Sequence, residues 1–220
     1  DWIRQSDIIP SVITYEGKHL GFYADFDTRK DEQILLKSGI SFTSLKNAEE
    51  NLYAEMKGWD FDETHETCAQ LWDKDLAKVT VTGGTEDEKK VFYTALYHTL
   101  IDPRICSDVN GEYLGADNQI HKTSKFNKRT IFSGWDVFRS QMPLQTLINP
   151  VMVNDLINSL VEIAEQSGNE YLERWEILTA FSGCMLGNPA ISILCDAYAK
   201  GIRGYDIEKA YRYALNTSRM

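Results

Sequence analysis

The chain has 220 residues, a formal net charge of −10 and a hydrophobic fraction of 43%. An acidic surface repels phosphate backbones, so nucleic acid is excluded as an expected partner, and the near-average composition excludes intrinsic disorder. No apolar run approaches the roughly 20 residues that a membrane span needs. The start at Asp1 has no signal-peptide pattern and indicates a piece cut from a longer protein.

The first 45 or so residues are predicted to form strands. Ser11–Tyr15 ends at a turn signal and the alternating segment His19–Phe26 follows, which together favour a hairpin. Ile34–Phe42 predicts another strand, with Gly39 at a bulge. Three or four strands cannot bury an apolar face alone, so they need a facing sheet that the sequence does not supply.

The middle of the chain changes to a helical pattern. Helices are predicted over Asn47–Met56 and from Asp60 to about Leu76, and the second opens with the spacing of a capping box. Lys78–Gly83 is predicted to be a short strand or an extended connector. The stretch is typical of a linker between a β domain and an α domain.

From Thr85 onward the pattern is helical, apart from a turn-rich stretch at 103–130 with a hairpin signal at Asp108–Gly111. Thr85 and Glu88 form a second capping box. About five helices in series favour an α/α toroid or a bundle. The predicted starts and ends of the later ones are Gly134 to Leu147, Pro150 to Gly168, Pro189 to Lys200, and Asp206 onward. The helix from Pro150 carries an apolar stripe of Val153, Leu156, Ile157, Leu160, Val161 and Ala164.

The four cysteines form no CxxC pair. Apolar surroundings predict that Cys184 and Cys195 are small buried core residues, with a disulfide left open. Because the four histidines are scattered, a structural zinc site is not expected. Tyr97 and His98 are predicted to be a satisfied core pair beside the apolar stripe of their helix.

Several segments are unusual for a plain helical core. They are Thr94–Arg104, Phe132–Arg139, Arg174–Glu176 with Gly183–Ala190, and upstream the shorter Gly58–Phe61 and Val81–Gly84. In this order and spacing they resemble glycoside hydrolase family 92, the calcium-dependent exo-α-mannosidases. The resemblance runs from about residue 20 to the end of the chain.

The resemblance implies a mixed fold and a specific chemistry. It places the end of a β-sandwich at 1–45, a helical linker at 46–85 and the first part of an (α/α)6 toroid at 86–220. It also implies an inverting glycosidase with an acid and a base about 6.5–9.5 Å apart. Both family segments that supply these carboxyl groups lie downstream of Met220, as do the calcium ligands. No catalytic residue and no calcium site are therefore expected in this chain, only in its exported parent.

Substrate-positioning residues are the remaining candidates, and mannose-containing glycans are the expected ligands. The Trp135 ring can pack on the apolar face of a pyranose, while the Asp136 carboxylate accepts two sugar hydroxyls. Arg139 lies one turn on and is predicted to orient Asp136 by a charged hydrogen bond. The alternative is a buried Trp135 beside a capping Asp136, with Ser133 capping the helix.

Arg174, Trp175 and Glu176 likewise have two interpretations. They line the mouth of the toroid in one, and form a surface ion pair beside a core tryptophan in the other. For the chain as a whole, the alternative to an enzyme fragment is a non-catalytic carbohydrate-binding or interaction module, and a weaker one is another toroid glycosidase or phosphorylase. Five helices cannot close a toroid, so the stripes of the helices from Pro150 and Pro189 are expected to have an open side. Either other chains associate with these faces or the rest of a larger folded protein covers them.

Overall fold

A computed structural model describes residues 16, 17, 21 and 23–220, which fall in two compact units, 1–34 and 35–220. In the first unit, residues 23–34 contain one turn and no helix or strand, and at the turn the amide of Arg29 donates to the Glu32 carboxylate (2.8 Å). The predicted strand at Ser11–Tyr15 lies outside the described residues, and so does much of His19–Phe26. The described residues of that segment, 21 and 23–26, form no strand.

The second unit is mainly helical. Its helices are α1 Leu45–Glu55, α2 Phe61–Leu76, α3 Glu86–Ile101, α4 Gly134–Val137, α5 Gln141–Ile148, α6 Pro150–Gln166, α7 Pro189–Ala199 and α8 Ile207–Ser218. Its strands are β1 Arg104–Ile105, β2 Glu112–Leu114, β3 Ile120–Lys122, β4 Arg129–Thr130, β5 Phe132–Ser133, β6 Trp175–Ile177 and β7 Ala180–Phe181. They pair antiparallel as β1–β4, β2–β3 and β5–β6–β7, and none of these small sheets closes into a barrel.

Helix starts follow the local signals in the sequence. Asp60 accepts a hydrogen bond from the amide of Glu63, and Thr85 with Glu88 forms both halves of a capping box. Asp206 caps α8 in the same way. The starts predicted at Pro150 and Pro189 are also confirmed, since proline fits the first helical position.

The strand predicted at Ile34–Phe42 is wrong. None of its residues is in a strand. The part around Gly39 and Ile40 lies against α1 instead, where Asn51 donates its side-chain amide to the carbonyl of Ile40 (2.9 Å). A Cβ on Gly39 would lie 2.2 Å from the carbonyl oxygen of Ala48, so this glycine permits a close approach to the helix and marks no bulge.

The helix predicted over 134–147 is two helices. α4 ends at Val137 and α5 begins at Gln141. Pro143 explains the break, because a proline inside a continuous helix would remove a backbone donor and clash with the carbonyl four residues earlier. In the first turn of α5 the same proline is tolerated.

The turn-rich stretch at 103–130 contains four of the short strands. The Asp108–Gly111 signal does form a turn, in which the amide of Gly111 donates to the carbonyl of Asp108 (2.8 Å). It leads into β2 and does not form the hairpin loop. That loop is 115–119, closed by a hydrogen bond from Gly115 to Gln119.

The core surrounds α6. All six residues of its predicted stripe are at most 3% exposed, because α5, α8 and β4 pack against the helix. The open side predicted for this stripe is therefore wrong, and Ile193 and Ala197 of α7 are buried in the same cluster. Large exposed apolar side chains occur elsewhere, including Leu36 (80%) and Leu45 (78%).

Four predicted core residues are at the surface. His98 is exposed, and Tyr97 is 37% exposed with its ring 4.6 Å from that of Trp72. Cys184 and Cys195 are exposed, so the core assignment is wrong for both, and each of the four cysteines is a free thiol. In the described part of the chain, no helix has the length and apolar character that crossing a membrane requires.

Candidate functional site

The sheet β5–β6–β7 brings the two predicted site segments together. Ser133 at the end of β5 pairs with Trp175 of β6, and the amide of Gly134 donates to the carbonyl of Arg174 (3.2 Å). The segments Phe132–Arg139 and Arg174–Glu176 are therefore neighbours in space, although about 40 residues separate them in sequence.

Gly134 makes this junction possible. A Cβ at this position would lie 2.7 Å from Cγ of Pro189 and 2.8 Å from both the carbonyl oxygen of Arg174 and a ring carbon of Phe132. A side chain of any size would push β5 and β6 away from α7. The glycine thus sets the spacing of the site.

Trp135 and Asp136 lie at the start of α4, with both side chains exposed. The indole is 41% exposed, so the alternative of a buried tryptophan is wrong. Ser133 is at the N-cap position without a capping bond, and its hydroxyl instead donates to the Asp136 carboxylate. An exposed ring beside an exposed carboxylate can engage the apolar face and the hydroxyls of a sugar.

Arg139 contacts Trp135 and not Asp136. Its guanidinium carbon lies 4.4 Å from the centre of the Trp135 ring, and a terminal nitrogen donates to the Trp135 carbonyl (3.2 Å). Because α4 ends at Val137, this side chain turns back along the helix end. The predicted orienting bond to Asp136 is not formed, and the guanidinium fixes the indole by a cation–π contact instead.

Arg174 and Trp175 connect the sheet to the segment before α7. A guanidinium nitrogen of Arg174 donates to the carbonyl of Met185 (2.8 Å), and the Ser182 hydroxyl donates to the carbonyl of Trp175 (3.0 Å). The Trp175 side chain is half-buried. The surface ion pair of the alternative interpretation is not formed, since Glu176 is buried.

Glu176 is 1% exposed and accepts two hydrogen bonds on one oxygen, Oε1. The hydroxyl of Thr130 donates at 2.9 Å and the amide of Thr179 at 2.6 Å. The same Thr130 hydroxyl oxygen accepts from the amide of Leu178 (2.7 Å). The Glu176 carboxylate and the Thr130 hydroxyl therefore bind the amides of Thr179 and Leu178, the two residues between β6 and β7.

The backbone around these groups is strained. Leu178 (φ 48°) and Thr179 (φ 66°) form the two-residue turn between β6 and β7, and Ile131 (φ 66°) joins β4 to β5. A left-handed conformation at a residue other than glycine costs about 1–2 kcal/mol, and more for β-branched side chains. Such strain collects at functional sites and persists where surrounding contacts impose it.

Buried charge lies behind the sheet. Lys128 is fully buried, with its ammonium donating to the carbonyl of Arg129 (3.3 Å); burial lowers its pKa, and the charge of Glu176 opposes that shift. Burial raises the pKa of Glu173 to about 7, and the nearby charge of Glu176 adds to the effect. One oxygen of the Glu173 carboxyl has no hydrogen-bond partner among the described residues.

Sequence reasoning missed Thr130, Lys128 and Glu173. Glu173 stands directly before the Arg174–Glu176 segment, but nothing local distinguishes it from the many solvated acidic residues of the chain. Its burial results from packing between elements that are distant in sequence, and no pattern within one element signals it.

A cleft of about 890 Å³ lies elsewhere, between residues 38–56 and residues 104–127. At its wall Asp108 is buried and accepts hydrogen bonds from Ser41, Thr43, Asn47 and Asn51. Burial raises the pKa of Asp108, but these four donors outweigh it and hold the pKa below its ordinary value. None of the six predicted site residues lines this cleft.

The described residues do not fit a calcium site. Calcium takes six to eight oxygen ligands. Within the described part of the chain, no group of three or more histidine, cysteine, aspartate or glutamate side chains is close enough to hold a metal ion. No chemical step through calcium follows from these residues.

Comparisons with known proteins agree on one family. The model of the glycosyl hydrolase family 92 catalytic domain matches residues 47–220. The family GH92 α-mannosidase BT3965 from Bacteroides thetaiotaomicron is 33% identical, with a TM-score of 0.76 over 82% of this chain and 24% of that chain. A complex of the same enzyme with mannoimidazole is equally similar, over 23% of that chain.

Two further structures extend the comparison. The inverting family GH92 mannosidase BT2199 from Bacteroides thetaiotaomicron VPI-5482 is 30% identical, with a TM-score of 0.76 over 82% of this chain and 24% of that chain. The gh92 family glycosyl hydrolase ccman5 is 24% identical, with a TM-score of 0.66 over 80% of this chain and 24% of that chain, and shares the fold. No curated protein sequence matches.

The chain spans about a quarter of the length of the solved structures that it matches. The family match covers most of the chain, including every residue of the β5–α4–β6 region. The resemblance predicted from the sequence motifs is thereby confirmed: this chain belongs to glycoside hydrolase family 92.

Proposed function

We propose that the chain forms part of an α-mannosidase that removes terminal mannose from α-mannosides, and that the β5–α4–β6 region contributes to the mannose subsite. The observation that carries this proposal is the pairing of Ser133 with Trp175, which places the exposed Trp135 and Asp136 beside Arg174 and Trp175. Support comes from the relative whose structure holds mannoimidazole.

The same proposal includes the division into domains, the inverting mechanism and the calcium of the complete enzyme. Residues 86–220 form the first part of an (α/α)6 toroid, 46–85 a helical linker and 1–45 the end of a β-sandwich domain, of which residues 23–44 are connecting chain without a strand. The packing of α5, α6, α7 and α8 against one another supports the helical part. An inverting mechanism is supported by the relative described as an inverting mannosidase. The calcium of the complete enzyme would be held by residues other than those described, which contain no group of side chains that could hold a metal ion.

The substrate role of Asp136 is tested in the product of the complete reading frame. We expect Asp136→Asn to lower kcat/KM on an α-linked mannobioside about 10²-fold, because two hydrogen bonds from sugar hydroxyls to a charged acceptor are weakened. The control is Asp62→Asn, at an exposed aspartate in the first turn of α2. Equal activity of both variants would remove Asp136 from the site.

We expect the 220-residue chain alone to release no mannose. Of the carboxylates near the candidate site, Asp136 is exposed while Glu173 and Glu176 are buried, so no two carboxyl groups face a shared substrate position. Loss of general acid and base help costs roughly 10²–10⁴-fold for each group. The measurement is mannose release with and without a chelator, beside the product of the complete reading frame.

Chelator-sensitive release by the chain itself would contradict the expectation of inactivity. If the complete product binds mannoimidazole and releases no mannose, a non-catalytic binding module explains the chain better.

A further inference from the structure

We propose that Thr130 and Glu176 are positioning residues, which hold the strained turn at Leu178–Thr179 and thereby fix Trp175 of β6 beside α4. The proposal rests on the proposed function, because it gives Trp175 a place in the mannose subsite. It assigns to Glu176 a role inside the protein and not at the sugar.

The geometry forms a closed chain of hydrogen bonds. The Thr130 hydroxyl accepts from the amide of Leu178 (2.7 Å) and donates to Oε1 of Glu176 (2.9 Å), and the same Oε1 accepts from the amide of Thr179 (2.6 Å). Thr130 and Glu176 are each 1% exposed, so water does not compete for these bonds. Both amides of the turn are satisfied from the interior.

The turn does not favour this conformation by itself. A two-residue hairpin turn with φ above zero at both central residues is of type I′, for which Asn-Gly is the preferred pair. Here the pair is Leu178 and Thr179, and the second is β-branched, for which a left-handed backbone is unusual. The buried hydroxyl and carboxylate therefore impose a turn that these two residues would otherwise leave.

The turn also fixes β6, the strand that carries Trp175. Side chains alternate along a strand. Glu176 is buried, whereas Trp175 is half-buried and Ile177 is 40% exposed, so Trp175 faces away from the anchoring carboxylate. With β5 on one edge and β7 on the other, β6 cannot move without breaking a ladder. A misplacement of about 1 Å at a substrate contact can lower a rate roughly 10²-fold.

The test uses Thr130→Val, which keeps the shape and removes the hydroxyl, in the product of the complete reading frame. We expect amide hydrogen exchange in the peptide covering β6 and β7 to become at least about tenfold faster. The amide of Leu178 loses its acceptor, and the amide of Thr179 is left with a carboxylate that the Thr130 hydroxyl no longer holds. We also expect weaker binding of mannoimidazole. A matched control is Thr146→Val, a buried threonine whose hydroxyl donates to the carbonyl of Pro143 (2.7 Å) in α5.

A rescue separates positioning from general stability. Adding Leu178→Asn and Thr179→Gly to Thr130→Val gives the turn a sequence that adopts the left-handed pair without help. We expect this triple variant to regain most of the exchange protection and most of the mannoimidazole affinity. A purely stabilising role for Thr130 predicts no such recovery.

The outcomes are distinct. Unchanged exchange in Thr130→Val overturns the proposal, as does faster exchange with unchanged mannoimidazole affinity and unchanged KM and kcat. Failure of the triple variant to recover affinity after recovering exchange protection overturns it as well. If the unmodified product neither binds mannoimidazole nor releases mannose, the proposed function fails. The link between the turn and the substrate then fails as well. The exchange data still decide whether Thr130 holds the turn.

Discussion

Replacing Glu176 with alanine is expected to destabilise the chain by about 2–6 kcal/mol, because two buried donors that cost about 1–3 kcal/mol each when unpaired lose their acceptor. Glu176 supplies the negative charge that opposes the effect of burial on Lys128, which is fully buried. The variant would also leave the Thr130 hydroxyl and the amide of Thr179 without their acceptor. Unpaired buried donors cost about 1–3 kcal/mol each, so the two losses reinforce each other.

The measured quantity is the free energy of unfolding of the 220-residue chain, obtained by denaturant titration. Two further variants serve as comparisons. Glu176→Gln keeps an acceptor and removes the charge, so its difference from Glu176→Ala separates hydrogen bonding from charge. Glu49→Ala changes an exposed glutamate of α1 and should stay within about 0.5 kcal/mol of the unmodified chain. A loss below about 1 kcal/mol for Glu176→Ala would show that Lys128 does not depend on this carboxylate.

The second large effect concerns pH. Burial raises the pKa of Glu173 from an ordinary 4.5 to about 7, with the charge of Glu176 adding to the shift. Between these values the folded chain keeps a proton that the unfolded chain has lost. Stability from this group is therefore complete below about pH 4.5 and falls as the pH rises through 7. The total loss reaches up to about 3 kcal/mol.

Glu173→Gln isolates this contribution, because glutamine stays neutral at every pH. We expect the variant to be more stable than the unmodified chain at pH 8 and to lose that advantage as the pH falls towards 5. The difference between the two curves removes the other groups, including Asp108, whose lowered pKa makes stability fall in acid. Parallel curves from pH 5 to 8 would show that Glu173 titrates normally, and Glu49→Gln serves as the exposed control.

Helix positions were predictable because their signals are local. The capping residues Asp60, Thr85 and Asp206, and the prolines at 150 and 189, mark helix starts by backbone chemistry within four residues. Strands need a partner that the sequence pattern does not identify. A strand was therefore predicted at Ile34–Phe42, where residues 39 and 40 lie against α1.

The site was predictable only in part. The motifs identified the two segments, and the pairing of Ser133 with Trp175 shows why they belong together. The groups that hold the site, Thr130 and Glu176 with the buried Lys128, were not predictable as a set. Their roles follow from hydrogen bonds and burial across elements up to about 50 residues apart, which no local spacing encodes.

Burial differs strongly between two helices of similar length. α2 has 16 residues and none of them is buried, whereas α6 has 17 and forms the centre of the core. Local opening of α2 breaks its own hydrogen bonds and few apolar contacts, while opening of α6 requires disruption of the whole cluster. The free energy of local unfolding is therefore lower for α2 than for α6, and a protease acting on the folded chain would cleave backbone in α2 long before backbone in α6.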